Sequence, residues 1–254
     1  MYKVVLFCGG TGSRLSEYTT AIPKPLVNVG NDMPIMWHIM KYYSQHGFTD
    51  FVLLAGYKQY LIKQFFNNYY INNSDVTFDY KSNTITYNKS NIESWKVTIL
   101  DTGENTLTGD RLAFAKDYLK NDTFLLNYSD GVSDINIQEV INYHSKTENI
   151  VTLSAVQPDG RYGNLNIEAG KVNSFVEKSK GDGTWINGGY FIVNPSIFNF
   201  LRSGDFAETL KYLAEEDLLG AYVHNGFWKA MDTAHDKVYL DNLWKENKAP
   251  WKIW

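Results

Sequence analysis

The chain has 254 residues, 44% of them hydrophobic and 15% aromatic, with 24 Lys and Arg against 28 Asp and Glu and a net charge of −4. That is enough chain to bury a sizeable core as one domain, 1–254, and its apolar content excludes disorder. The mild negative charge argues against nucleic acid as a partner, and a single cysteine, Cys8, excludes an intramolecular disulfide framework and a thiolate metal site.

In chain order, the opening apolar run ends at Cys8 and is too short for a signal peptide or a membrane span. No later window is apolar for long enough, so a cytoplasmic protein with no membrane partner is expected. Residues 3–8 read as a buried strand leading into a glycine loop. Residues 34–46 read as a helix with Pro34 in its first turn and Gly47 at its end. A strand at 51–55 and a helix at 59–70 follow. Alternating runs at 76–80 and 84–88 form a hairpin about Lys81-Ser82-Asn83, inside an inserted region at about 72–100, and a further strand is expected at 95–101. Then come a helix at 111–119, a strand at 123–128, a helix at 135–144 with Asp134 as its cap, and a strand at 150–156. A second hairpin spans 164–168 and 171–177, a strand 186–193, and helices lie near 197–201 and 207–215. A C-terminal helix with an aromatic tail occupies about 234–254. Strands alternating with helices mean an α/β fold with a mostly parallel sheet covered on both faces, the hairpins being insertions.

The loop Gly9-Gly10-Thr11-Gly12-Ser13-Arg14 follows the first strand directly. Its glycines let backbone N–H groups approach phosphate oxygens with no Cβ in the way. It fits neither the dinucleotide fingerprint nor the Walker loop. Pro23-Lys24-Pro25 follows, and two prolines hold the lysine on a stiff, extended segment. Arg14 and Lys24 are therefore placed to neutralise a triphosphate during phosphoryl chemistry. Asp130 ends a strand just before Gly131, a position where parallel sheets carry catalytic groups; Asp232 precedes the C-terminal helix and is equally suited to capping it.

Gly-Gly-x-Gly-x-Arg-Leu followed by Pro-Lys-Pro resembles the signature of sugar-phosphate nucleotidyltransferases. The likeness to the glucose-1-phosphate cytidylyltransferase branch runs over nearly the whole chain. It is carried by Trp37-His38-Ile39-Met40-Lys41, Gly56-Tyr57-Lys58, Asp101-Thr102-Gly103, Thr108-Gly109, Arg111-Leu112 and residues 128–134. It continues through Trp185-Ile186-Asn187-Gly188-Gly189, Gly226-Phe227-Trp228, Met231-Asp232-Thr233 and residues 248–252.

The resemblance implies a three-layer, Rossmann-like fold and attack by an acceptor phosphoryl oxygen on the α-phosphorus of CTP, with pyrophosphate leaving. It implies Mg2+, with Mn2+ a substitute, on Asp130 and Asp232. Gly9, Gly10, Thr11, Gly12, Ser13, Arg14, Lys24, Thr106, Arg111 and Ser129 are implied at the nucleotide. Tyr128, Glu177, Lys178, Asn187 and Gly188 are implied at the acceptor. Arg14, Lys24 and Lys178 are implied to carry the catalytic charge. A phosphate monoester has its second pKa near about 6, so no general base is required.

The chain departs from the branch at Ser129 and Asp110, where glycines are usual, at Ser179, where proline is usual, and in a shortened stretch at 203–208. These departures favour glutamine phosphate, giving CDP-glutamine for capsule modification, narrowly over glucose 1-phosphate as acceptor. Finally, Trp244, Trp251 and Trp254 crowd the tail, which is expected to dock on another subunit of a homo-oligomer.

Overall fold

A computed structural model describes residues 2–30, 32–90, 92–158, 163–168, 170–177 and 184–254. Its strands are β1 (Lys3–Cys8), β2 (Asn28–Val29), β3 (Met33–Pro34), β4 (Asp50–Ala55), β5 (Ser74–Asp79), β6 (Thr84–Ser90), β7 (Lys96–Asp101), β8 (Phe124–Asn127) and β9 (Gly131–Ser133). The remainder are β10 (Val151–Val156), β11 (Gly163–Glu168), β12 (Lys171–Glu177), β13 (Ile186–Val193), β14 (Leu219–His224) and β15 (Trp228–Ala230). Helices are α1 (Ser16–Thr19), α2 (Ile35–Gln45), α3 (Gln59–Asn72), α4 (Thr108–Phe114), α5 (Lys116–Leu119), α6 (Ile137–His144), α7 (Phe206–Glu215) and α8 (Ala234–Lys245).

Seven strands form one sheet in the order β14-β10-β13-β8-β1-β4-β7, in which only β13 runs antiparallel to its neighbours. The expected mostly parallel α/β sheet is present. Along β1, Val4, Leu6 and Cys8 join the core beneath α2 and α8, while Val5 and Phe7 join the core beneath α4 and α7. This two-sided burial is why β1 reads as a continuous apolar run rather than an alternating one. From β1 the chain builds outward through β4 and β7, then crosses back to β8 on the other side. The strand order reverses between β1 and β8, and an open α/β sheet binds its ligand at such a point, at the carboxyl ends of the strands.

Several expectations shift. The helix expected at 111–119 starts earlier, at Thr108, and breaks after Phe114. Asn136, not Asp134, caps α6, its side chain accepting from Gln138 and Glu139 N–H. Asp134 instead accepts from the Phe227 N–H at 2.7 Å and meets His224 at 2.9 Å. The three tail tryptophans pack back on their own domain: Trp251 is fully buried against Phe227, Trp254 meets Trp37, and Trp244 meets His38. A short tail can bury such rings because α2 offers Trp37 and His38 as a ready aromatic surface.

Candidate active site

The glycine loop leaves β1 at the switch point. Gly12 adopts a left-handed conformation with φ of 65°, and a Cβ there would press on Thr19 and Lys24, so only glycine lets loop and lysine approach this closely. Thr19 Oγ1 donates to the Gly12 carbonyl at 2.9 Å and fixes the loop's far side. Lys24 does not lie on an extended segment. It opens a 3-10 turn, Lys24–Leu26, set by buried Pro23 and Pro25, with the Leu26 N–H donating to the Pro23 carbonyl at 2.8 Å. The prolines do stiffen the lysine, but as a turn.

From this turn Lys24 Nζ reaches Asp130 at 2.8 Å and Asp232 at 2.7 Å, and Arg14 lies 3.2 Å from the other Asp232 oxygen. Burial alone would lower the Lys24 pKa, but the two carboxylates outweigh it and hold the ammonium above its ordinary value. The aspartates converge because β9 pairs with β15, Gly131 opposite Ala230, and the Met231 N–H donates to the Asp130 carbonyl at 2.8 Å. Their carboxylates thus flank one end of a three-residue ladder. A hard divalent cation fits this donor set: two carboxylates reach one point beside a cleft of about 470 Å3, where phosphate oxygens would complete the coordination. Among the described residues no cluster of three or more acidic, His or Cys side chains offers an alternative.

That cleft gathers Gly10, Thr11, Gly12, Ser13, Arg14, Lys24, Tyr128, Ser129, Asp130 and Asp232, together with Phe7, Pro25 and Thr108. Gly9, Thr106 and Arg111 do not line it. Arg111 is 3% exposed rather than solvated. Its guanidinium donates to the carbonyls of Gly103 (2.6 Å), Gly9 (3.0 Å) and Glu104 (3.0 Å) and to Thr102 Oγ1 (2.6 Å). A Cβ on Gly9 or Gly56 would overlap it, so two glycines make room for one arginine. It ties the loop after β1 to the loop after β7. Thr106 donates to the Thr102 carbonyl in the same loop.

Ser129 has φ of 63°, which explains why a glycine suits the position. Its hydroxyl donates to the buried Phe7 carbonyl and its N–H to Asn127 Oδ1 at 2.7 Å. Cys8 is a small buried residue whose thiol is pushed up to about 12 by desolvation.

Of the residues expected at the acceptor, Tyr128, Asn187 and Gly188 meet Asp130 in a second recess of about 30 Å3, with Gly131, Gly189 and Trp228. Trp228 Nε1 donates to the Gly188 carbonyl at 2.7 Å, and Asn187 Oδ1 accepts from the Gly189 N–H at 2.9 Å. Burial pushes the Tyr128 hydroxyl up to about 12. Glu177 ends β12, and Lys178 and Ser179 lie outside the described residues. Sequence reading passed over Asp236 and Lys229, which support Asp232 from behind; the Thr-x-x-Asp spacing at 233–236 was the available signal.

A glycine loop, a lysine and a carboxylate pair at the switch point of a mostly parallel sheet define a protein that handles nucleotide phosphates. The chain belongs to the nucleotidyl transferase family, whose profile matches residues 3–244. It is 47% identical to the glucose-1-phosphate cytidylyltransferase of Salmonella typhi, over 99% of both chains. Among solved structures it resembles HddC from Yersinia pseudotuberculosis, with a TM-score of 0.66, 25% identity, and coverage of 95% of this chain and 99% of that one. A UDP-glucose pyrophosphorylase complexed with UDP-glucose superposes with a TM-score of 0.69 at 14% identity, over 97% and 99% of the two chains, and supports the fold alone.

Proposed function

We propose that the protein transfers CMP from CTP to the phosphate of glucose 1-phosphate, forming CDP-glucose and releasing pyrophosphate. The observation that carries this reading is the full-length identity of 47% to a glucose-1-phosphate cytidylyltransferase. The preference for glutamine phosphate finds no support. Of the substitutions behind it, Ser129 turns its hydroxyl to the Phe7 carbonyl and Asp110 accepts from the Gly204 N–H at 3.1 Å. Both side chains serve the protein's own backbone.

In this reading an acceptor phosphoryl oxygen attacks the α-phosphorus in line. The bond to the oxygen bridging to the β-phosphate breaks, and pyrophosphate leaves with that oxygen. N–H groups of Gly10 to Ser13 cradle the β- and γ-phosphates, while Arg14 and Lys24 offset their charge. Mg2+, or Mn2+ in its place, fits Asp130 and Asp232 and when bound neutralises phosphate charge. Tyr128, Asn187 and Gly188, with Glu177 and Lys178, orient the acceptor. No proton has to move, so positioning and charge neutralisation are the protein's contribution.

Homo-oligomeric assembly is proposed on the β5–β6 hairpin rather than the tail. Cross-strand pairing puts Val76 opposite Tyr87 and Phe78 opposite Ile85, and Phe78, Ile85 and Tyr87 are all exposed.

Pyrophosphate release is to be measured with CTP and Mg2+ and each acceptor in turn. Faster turnover of glucose 1-phosphate is expected. Faster turnover of glutamine phosphate overturns the acceptor, and turnover of UTP as fast as CTP overturns the base.

A further inference from the structure

Asp236 is a carboxylate buried to 3% exposure one helical turn past Asp232, outside the cleft itself. One oxygen lies 2.7 Å from Lys229 Nζ on β15. The other accepts from the N–H of Asp232 (3.2 Å), the N–H of Thr233 (2.9 Å) and the Thr233 hydroxyl (2.9 Å). Thr233 in turn accepts from the Asp236 N–H at 3.2 Å and caps α8.

A helix cap alone would need only the Thr233–Asp236 exchange, and it is ordinarily made at the solvent-facing start of a helix. Here the carboxylate is buried, takes a second N–H, from Asp232 itself, and is anchored to the strand that pairs with β9. Because Thr233 and Asp236 satisfy the start of α8, the Asp232 carboxylate is released from capping and is free to face Lys24 and Asp130. We propose that Asp236, held by Lys229, is a positioning residue that aims Asp232 for divalent-cation binding. It acts through the Asp232 backbone and touches neither substrate nor cation. The inference rests on the nucleotidyl-transfer reading above.

The test is CTP binding by calorimetry, in Mg2+ and in EDTA, without acceptor, so that nothing turns over. In the wild-type chain Mg2+ is expected to raise CTP affinity. In Asp236→Asn that Mg2+-dependent increment should fall by about tenfold, the loss usual when a hydrogen-bonding support of a metal ligand is removed, while affinity in EDTA stays unchanged. Lys229→Met removes the ammonium, which lies 5.6 Å from the centre of the Tyr239 ring, and leaves the Thr233–Asp236 exchange in place; a loss of the same kind is expected, and it carries the test if Asp236→Asn fails to fold. Asn136→Ala, which removes the cap of α6, should lower the melting temperature and leave the increment alone. An unchanged increment in Lys229→Met and in a folded Asp236→Asn, equal losses in Mg2+ and EDTA, or the same loss in Asn136→Ala overturns the inference. No increment in the wild-type chain overturns the nucleotidyl-transfer reading and the inference with it.

Discussion

Lys24 places its ammonium 2.8 Å from an Asp130 carboxylate oxygen across a sequence separation of 106 residues. The same nitrogen lies 2.7 Å from Asp232, which Arg14 also approaches, so two carboxylates face two cations and the cluster is charge-balanced. A divalent cation arriving alone would meet the Lys24 ammonium at the point it needs. A cation arriving with a triphosphate would be accompanied by negative charge that could draw Lys24 and Arg14 toward the phosphates. Lys24→Gln is therefore expected to bind Mn2+ more tightly than wild type when no nucleotide is present, by about tenfold, because removing a unit charge near 4 Å is worth several kcal/mol before solvent screening. The same variant should lose turnover. Paramagnetic titration of free Mn2+ checks the first effect, and weaker binding by the variant would exclude the competition.

Arg111 supplies a different expectation. Its donors already hold the carbonyls of Gly9, Gly103 and Glu104, so its main effect is on the shape of the loops after β1 and β7. A lysine keeps the charge but not the planar fork that reaches three carbonyls and a hydroxyl. Arg111→Lys is expected to lose about 2–4 kcal/mol of stability, as buried acceptors go unpaired, and to weaken CTP binding as the loops relax. Urea unfolding and CTP titration on the same preparation check this. Weaker CTP binding at unchanged stability would assign Arg111 a direct contact with the nucleotide instead.

Legibility in the sequence followed how local each feature was. The glycine loop and Asp130 sit in short motifs just past β1 and β8, which the sheet brings together, and Lys24 sits in the short Pro-Lys-Pro turn. β9 and β15 escaped because three residues show no period, yet their pairing sets the spacing of Asp130 and Asp232. The burial of Arg111 was hidden for a related reason: its space is made by Gly9 and Gly56, which come from two other strand ends. The tail tryptophans were visible but their partner was not, since Trp37 and His38 face them only once α2 and α8 share a face of the sheet.

The β5–β6 hairpin carries the assembly prediction. A two-stranded ribbon buries too little to hold an apolar face alone, and Tyr80 at its tip is 90% exposed. Phe78 and Ile85 are directly paired, so the double change Phe78→Glu with Ile85→Glu puts two like charges side by side on that face. Light scattering is expected to show a wild-type homo-oligomer and a smaller species for the variant, with nucleotidyl transfer retained. A wild-type monomer at micromolar concentration would remove the assembly proposal.

The buried His38 predicts how stability varies with pH. Burial among Trp37, Trp244, Trp251 and Trp254 pulls its pKa down to about 4, although its ring nitrogen meets the Val29 carbonyl at 2.9 Å. The folded value lies below the ordinary 6.5, so between the two the unfolded chain binds more protons and stability rises with pH. The contribution is complete above the unfolded value and is lost as pH falls toward 4, amounting to roughly 3 kcal/mol over the window. Burial lowers His46 and His144 as well, and both act in the same direction. Urea unfolding at pH 7 and pH 5 is expected to show a marked loss at the lower pH. His38→Gln, which cannot take up the proton in either state, should be less stable at pH 7 and show a flatter dependence. An undiminished slope in that variant would assign the pH effect to the other histidines.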